Sequence, residues 1–258
     1  MGRSQIVHRR NFLVATGAVF GSEMVGGCDR IADSERGRRI LASAEGLTRR
    51  VQSIVVRPAA FAPEYAQGDL SVKFRANGST NPDDEVYQAL AKNDFKDWRL
   101  TIGGLVENAI EYSLADLRSL PFRTQITRHD CVEGWSCIGK WTGVPLGVVL
   151  QRSRLQPRAK FIVFYCADKL EAGEAGRYYE SIDIEDALHP QTILAYDMND
   201  GILPIAHGAP LRLRVERQLG YKMAKYIMRI EAVESISAIA GGGGGFWEDR
   251  GYEWYAGI

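Results

Sequence analysis

One short segment of the chain carries residue types that can bind a metal. Residues 128–146 hold two of the four cysteines, two of the five tryptophans and three glycines. A cysteine at the end of a strand can present its sulfur to a metal or cofactor, and glycines beside it allow the backbone to approach that ligand closely. Cys131 is therefore the first candidate for a ligating thiolate, and we expect the nearby His129 and Lys140 to favour its thiolate form.

The four cysteines also permit other uses. Cys131 and Cys137 could pair as a disulfide in an oxidising compartment, or act together as a thiol–disulfide couple. A buried structural role is a further alternative for a single cysteine. Four cysteines in 258 residues are too few for a disulfide framework, and no Cys-x-x-Cys pair occurs, so a structural zinc site is not expected.

A second candidate segment, residues 207–225, could bind an anion. It begins His-Gly-Ala-Pro-Leu-Arg and ends Gly-Tyr-Lys-Met-Ala-Lys. The cationic side chains of Arg212 and Lys225, together with backbone N–H groups beside the glycines, suit an anionic group. An arginine on a strand is otherwise more often solvated, so this interpretation depends on the wider pattern of the chain.

Both segments resemble the sulfite oxidase family of molybdopterin enzymes, and in particular its branch of periplasmic protein-methionine-sulfoxide reductases. Residues 131–136, Cys-Val-Glu-Gly-Trp-Ser, are similar to the family segment whose cysteine binds molybdenum. The resemblance extends over residues 73–235, with several separated motifs in the same order. It implies a mixed α+β fold of the sulfite oxidase catalytic type, Mo-molybdopterin as cofactor, and two-electron oxygen-atom transfer.

The resemblance also implies a set of site residues. Cys131 would be the molybdenum ligand, because a soft thiolate suits a metal already bound by the sulfurs of the pterin. Glu133 would relay protons, which oxygen-atom transfer consumes, and Tyr179, or alternatively Tyr178, would take the place of the active-site tyrosine of relatives. The predicted contacts to the cofactor, besides Cys131, are Asn77, Cys166, His207, Arg212, Met223, Ala224 and Lys225.

The substrate expected from the resemblance is a sulfoxide, either a small molecule or protein-bound. Sulfite oxidases carry substrate-binding arginines directly after the cysteine motif, whereas Gly134, Trp135 and Ser136 occupy that place here. Sulfite-oxidase-like oxidation of a small sulfur compound is the alternative, and a non-catalytic exported binding protein of the same fold is another. We expect no immunoglobulin-like dimerisation domain, because the chain ends too soon for one, and no cytochrome b5-type haem domain, because the only histidines are His8, His129, His189 and His207. We therefore expect a monomer that exchanges electrons with a membrane cytochrome b or a c-type cytochrome.

Short strands dominate the elements that must position these residues. Strand patterns cover residues 98–102, 159–166, 192–198, 210–215 and 226–233, and helix patterns cover 114–120, 145–155 and 184–188. Ser113 and Asp183 are the expected N-caps of two of these helices. The pattern predicts an α+β domain over residues 71–240, preceded by a linker over 29–70. A glycine-rich linker follows, and the aromatic tail that completes residues 241–258 is expected to pack back on the body.

The amino-terminal residues 1–28 are predicted to be a signal peptide. Residues 8–13, His-Arg-Arg-Asn-Phe-Leu, resemble the twin-arginine export motif, and a short apolar segment follows. Cys28 follows Val-Gly-Gly and could carry a lipid anchor. We expect a periplasmic protein. Lysine plus arginine and aspartate plus glutamate number 32 each, so the formal net charge is zero and a nucleic-acid partner is not expected.

Overall fold

The computed structural model describes residues 60–258. The predicted signal peptide, with its twin-arginine motif and Cys28, lies outside the described residues, as does most of the predicted linker. The described strands are β1 Arg99–Gly104, β2 Ile110–Ser113, β3 Arg123–Asp130, β4 Ser136–Pro145, β5 Phe161–Lys169, β6 Arg177–Asp183, β7 Ile193–Met198, β8 Gly201–Ile202, β9 Arg212–Arg214 and β10 Ile227–Val233. The α-helices are α1 Glu85–Lys92, α2 Leu114–Ser119, α3 Leu146–Ser153 and α4 Ile184–Leu188.

These strands form two sheets. The first has the order β2-β1-β10-β5-β6, with β1 and β10 parallel and the other neighbours antiparallel. The second has the order β3-β4-β7-β8, and β9 also pairs with β7. Two sheets with a few short helices make the α+β architecture that the sequence predicts. Among the described residues, no helix is long and apolar enough to cross a bilayer.

The main core lies between the two sheets. The side chains of β7 alternate between this core and a second, smaller one. On β7, Leu194 and Tyr196 belong to the large core cluster, whereas Ile193 and Ala195 belong to a smaller cluster around Trp141. Successive side chains of a strand point to opposite faces, so both faces of this sheet are covered. Each aliphatic side chain that is fully buried in this way contributes about 1.5–3 kcal/mol to the stability of the fold.

The predicted caps of two short helices are confirmed. The Asp116 N–H donates to Ser113 Oγ at 3.1 Å, and the Ser113 N–H donates to Asp116 Oδ2 at 2.9 Å, which is a capping box at the start of α2. The Asp186 N–H donates to Asp183 Oδ1 at 2.8 Å at the start of α4. Because each cap satisfies N–H groups that a first helical turn leaves free, these five- and six-residue helices can form.

In the second sheet, β4 begins at Ser136, and Gly143 lets it approach β7 so closely that a Cβ there would lie 2.2 Å from Leu194 O. The strand predicted within residues 210–215 is present as β9. Its alternation of apolar and basic residues is typical of a half-buried strand, and that interpretation was wrong, because β9 is buried on both faces. Arg214 pairs with Glu216 at 2.5 Å with both side chains fully buried.

The segment after β10 packs against β6, as its aromatic content predicts. The Phe246 N–H donates to Tyr179 O at 3.0 Å, and Trp254 Nε1 donates to Ser181 Oγ at 2.8 Å. The glycine run is enclosed as well, because the Asp249 carboxylate accepts hydrogen bonds from the N–H groups of Gly241 and Gly243. Residues 241–255 therefore form part of the folded body.

Candidate active site

A cavity brings together residues that are far apart in the chain. Its volume is about 160 Å³, roughly ten times what one water molecule requires, so it can admit a ligand of several atoms. The residues that line it are Asn77, Gly78, Ser79, Cys131, Val132, Glu133, Asp168, Leu170, Tyr178, Gly220, Tyr221, Met223, Lys225, Trp247 and Tyr252. Five of the predicted site residues are in this set: Asn77, Cys131, Glu133, Met223 and Lys225.

A tight turn after β3 presents Cys131 to the cavity. The Gly134 N–H donates to Cys131 O, and the Cys131 N–H donates to Trp135 O, both at 2.9 Å. Gly134 has a φ of +83°, a conformation that favours glycine. Cys131 is only 9% exposed, and neither it nor Cys137 forms a disulfide.

The electrostatic surroundings of Cys131 differ from those expected. Burial raises the pKa of the Cys131 thiol, and the backbone N–H of Glu133 and the Arg75 guanidinium act in the opposite direction. The expectation that His129 and Lys140 favour the thiolate was wrong. Lys140 pairs with Asp200 at 2.6 Å, and burial holds the pKa of His129 well below its ordinary value, so the ring is neutral.

Lys225 connects the cavity to the segment before α1. Its Nζ donates to Asn77 O at 2.7 Å, to Ala206 O at 3.3 Å and to Ser79 O. Burial and the nearby Arg212 lower the pKa of Lys225 to about 7, while Asp168 acts in the opposite direction. Within residues 60–258, all three hydrogen bonds of this ammonium go to carbonyl oxygens, and no carboxylate is in hydrogen-bond contact with its positive charge.

Arg212 adds a second buried cation behind the cavity lining. Its side chain is 1% exposed, and Nη1 donates to His207 O at 3.0 Å. Nε and Nη2 have no hydrogen-bond partner in the part of the chain that the structure describes. Burial, with Arg214 nearby, lowers the pKa of Arg212 to about 9, and burial lowers that of His207 to about 4. A buried cation with free donors is costly unless an anion accompanies it, so this region suits an anionic ligand.

Asp168 is a site residue that the sequence analysis missed. It lies near the end of β5, is 3% exposed and lines the cavity, and its Oδ1 has no partner among the described residues. Burial raises its pKa to about 6, against the opposing effect of Lys225. The available signal was a carboxylate just after the long apolar run of residues 159–166, because a charge there is costly unless it has a use.

Five predicted site residues lie outside the lining: Arg212 and His207, described above, and Cys166, Ala224 and Tyr179. Cys166 belongs to the large core, and Ala224 is fully buried, with its carbonyl accepting the Leu213 N–H at 2.8 Å. The Tyr179 hydroxyl donates to Asp249 at 2.5 Å, whereas Tyr178 lines the cavity and donates to Tyr221 O. Neighbouring strand residues face opposite sides, so the structure places Tyr178, not Tyr179, at the cavity.

Glu133 lies at the mouth of the cavity, close to Cys131 in sequence. Its Oε2 accepts a hydrogen bond from Trp135 Nε1 at 2.9 Å and lies 3.7 Å from Arg75 Nη2. The side chains of this ion pair are 56% and 63% exposed, so the pair adds little stability. The same exposure allows the carboxylate to exchange protons with solvent while it faces the cavity.

Gly220 and His129 pack against each other beneath the cavity. A Cβ at Gly220 would lie 2.5 Å from the His129 ring, so a larger residue would displace one of the two segments. His129 is fully buried, with Nδ1 3.3 Å from the Met223 sulfur and 3.0 Å from Arg214 Nη1. This packing fixes the turn that carries Tyr221 and Met223 relative to β3, the strand that leads into Cys131.

Comparison with known proteins gives a consistent set of relatives. A family model described as the oxidoreductase molybdopterin binding domain matches residues 87–238. The chain is 37% identical over 249 residues to YedZ1 of Azospira oryzae, which is named provisionally as a protein-methionine-sulfoxide reductase subunit; the match covers 96% of this chain and 87% of that protein.

Two further relatives are longer than the region they share with this chain. The protein-methionine-sulfoxide reductase catalytic subunit MsrP of Xanthomonas axonopodis pv. citri is 36% identical over 151 residues, covering 55% of this chain and 47% of MsrP. The match therefore spans about half the length of that subunit. Among solved structures, the sulfane dehydrogenase SoxCD of Paracoccus pantotrophus is 25% identical with a TM-score of 0.49, over 54% of this chain and 39% of that chain.

Proposed function

The chain belongs to the family of oxidoreductases with a molybdopterin-binding domain, and from that premise we propose that it reduces sulfoxides by two-electron oxygen-atom transfer. The observation that carries the choice of substrate is the cavity lining. Among the described residues that line it, Lys225 is the one cation, and its ammonium already donates to three carbonyl oxygens. Because the phosphate of the cofactor would take the charge of Lys225, no cation of this lining remains for a tetrahedral sulfur oxyanion as substrate, whereas a neutral sulfoxide requires none.

The residues at the cavity fit a molybdenum cofactor in their chemistry. The Cys131 thiol supplies a soft ligand for the metal. The free donors of Arg212 and the charge of Lys225 would hold the phosphate, with His207 beside them. The free oxygen of Asp168 would accept hydrogen bonds from the N–H groups of a pterin, and Asn77 and Met223 would contribute to the same binding site.

The protein must supply protons and exclude competing reactions. A molybdenum cofactor held by Cys131 would supply the two-electron oxygen-atom chemistry of the reaction. Two protons are consumed as the sulfoxide becomes a thioether and water forms, and the exposed Glu133 is positioned to pass them from solvent. The Tyr178 hydroxyl is fixed by its hydrogen bond to Tyr221 O, and the ring shapes the cavity wall.

We extend the proposal to location and partners. The motif at residues 8–13 supports export by the twin-arginine route to the periplasm as a folded protein, with residues 1–28 removed or, at Cys28, lipidated. Electrons would come from a membrane cytochrome b or a c-type cytochrome, and the chain would act as a monomer. Limited proteolysis of the exported protein and mass measurement of its amino terminus test the processing site.

The proposed function is tested with protein purified after expression with its cofactor machinery. With a reduced viologen dye as electron donor, we expect methionine sulfoxide and dimethyl sulfoxide to be reduced to their thioethers. With ferricyanide as electron acceptor, we expect no comparable oxidation of sulfite. Molybdenum-loaded protein that oxidises sulfite and leaves both sulfoxides unchanged would contradict the proposal and favour the sulfite-oxidase-like alternative.

Anion binding near Lys225 should weaken as the pH rises through about 7. Because the pKa of Lys225 is lowered to about 7, the side chain is largely charged at about pH 6 and largely neutral at about pH 8. An anion stabilises the charged form, so sulfate, whose own charge is constant over this range, should bind cofactor-free protein about tenfold more tightly at the lower pH. Isothermal titration calorimetry measures this, and Lys225→Met should remove most of the pH dependence. Equal affinities at the two pH values would show that Lys225 does not contribute to the anion site.

A further inference from the structure

One side of the cavity is formed by aromatic residues of the segment after β10. Trp247 and Tyr252 both line the cavity, and their rings are stacked with centroids 5.2 Å apart at an angle of 28°. The Tyr221 ring meets Tyr252 edge-on at 5.3 Å. Tyr252 remains 38% exposed, so this aromatic surface is not used up by packing within the protein.

A buried cluster of charges holds this aromatic surface in place. Lys222 Nζ lies 2.5 Å from Glu180 Oε1 and 2.5 Å from Glu248 Oε1, and all three side chains are at most 1% exposed. Glu248 directly follows Trp247, Lys222 directly follows Tyr221, and Glu180 lies two residues after Tyr178. The same ammonium therefore connects three segments that each contribute an aromatic side chain to the cavity.

We propose that Trp247 and Tyr252 form a binding wall for the alkyl group next to the sulfoxide sulfur, and that Lys222, Glu180 and Glu248 are positioning residues for this wall. The inference rests on the proposed function and specifies its substrate class as sulfoxides that carry an alkyl chain. Aromatic rings make favourable contacts with divalent sulfur and with methylene groups, and both groups are present in the thioether product.

The position of the wall favours substrate binding over simple packing. The wall shares one cavity with Cys131, the proposed metal ligand, so a group attached to the reacting sulfur would enter the same space that these rings line. Val132 and Leu170 add apolar surface to the same lining. Together these residues provide an apolar site for the part of the substrate that takes no part in the chemistry.

The test compares dimethyl sulfoxide with methyl butyl sulfoxide, which differ by three methylene groups. Calorimetry on the oxidised holoenzyme without an electron donor measures binding alone, and turnover with reduced viologen gives KM and kcat. The wild type should bind the butyl compound at least about tenfold more tightly. Trp247→Leu and Tyr252→Leu should each reduce this ratio at least about threefold, mainly through KM. Tyr255→Leu, which removes an aromatic ring of the same segment outside the cavity lining, is the matched control and should keep the wild-type ratio.

The outcomes of this test distinguish a failure of the proposed binding wall from a failure of the proposed function. If the wild type binds both sulfoxides alike, or if both wall variants keep the wild-type ratio, the wall is overturned even when turnover is normal. If no sulfoxide is reduced, the proposed function fails, and the binding ratio still decides on the wall. If Trp247→Leu does not fold, Tyr252→Leu alone tests the wall, because Tyr252 is partly exposed. Glu248→Leu should lower the ratio and Glu248→Gln should restore it, since glutamine keeps an oxygen acceptor for Lys222.

Discussion

Cys131→Ser should lose its molybdenum and, with it, more than about a hundredfold of the sulfoxide-reducing activity. Removal of a group that only supports a metal ligand typically costs 10- to 100-fold in metal affinity or activity, so loss of the proposed ligand itself should cost more. A serine hydroxyl is also a harder and less acidic donor than a thiol, which makes it a poor substitute for a soft ligand. Metal analysis, released pterin and viologen-linked turnover give three independent readouts.

Cys137→Ser is the matched control for this prediction. Cys137 is as buried as Cys131 and is also a free thiol, but it lies outside the cavity lining, with its sulfur 3.9 Å from Lys73 O. We expect this variant to keep about one molybdenum per chain. If both variants lose metal equally, the effect comes from destabilised folding, and if Cys131→Ser keeps metal and activity, Cys131 is not the ligand.

Lys222→Met should destabilise the protein by about 3–5 kcal/mol, the usual cost of removing one partner from a buried ion pair. The variant would leave the carboxylates of Glu180 and Glu248 buried without their cation. Burial already holds the pKa of Glu180 well above its ordinary value, and the Lys222 ammonium opposes that shift. Without Lys222 this raised pKa should rise further. A carboxyl whose pKa is raised in the folded state lowers the stability of the protein as the pH increases above the pKa of the unfolded state. The loss of stability in Lys222→Met should therefore be larger at about pH 8 than at about pH 5.

Urea denaturation at the two pH values measures this deficit. Lys160→Met is the control, because the Lys160 ammonium lies 4.0 Å from Glu234 with both side chains largely exposed, and such pairs contribute at most about 1 kcal/mol. Adding Glu248→Gln to Lys222→Met should recover part of the loss, since one buried carboxylate is then removed. A Lys222→Met protein as stable as the Lys160→Met protein would mean that the cluster contributes little to the fold.

The sequence predicts the parts of this fold that depend on local patterns. The strands with long apolar runs, such as β5, appear with boundaries shifted by a few residues, and the capped helices α2 and α4 begin at the expected positions. These signals are local, because an apolar run or a cap is visible within a few residues. Helix α1 was not predicted, because its amphipathic pattern extends over only eight residues and only Tyr87 of these is buried.

The parts of the site that the sequence does not predict depend on contacts between distant segments. Asp168 and Tyr178 face the cavity because of where their strands lie in the first sheet. The apolar run before Asp168 does not show which face its side chain takes, and the sequence offers Tyr178 only as an alternative to Tyr179. Arg212 follows an alternating pattern that is typical of a half-exposed strand, but β9 is covered on both sides. Trp247 and Tyr252 were expected to pack on the body, and their position at the cavity depends on the distant Lys222 and Glu180.

The aromatic wall is also the last part of the site to be synthesised. Cys131, Asp168 and Lys225 leave the ribosome before Trp247 and Tyr252, and Glu248 is the last of the three residues around the buried ammonium to emerge. A nascent chain that has exposed both sheets still lacks one side of its cavity. A premature stop at any of residues 241–247 would therefore leave the proposed metal ligand and the proposed phosphate-binding cations in an open cleft, with Lys222 short of a carboxylate.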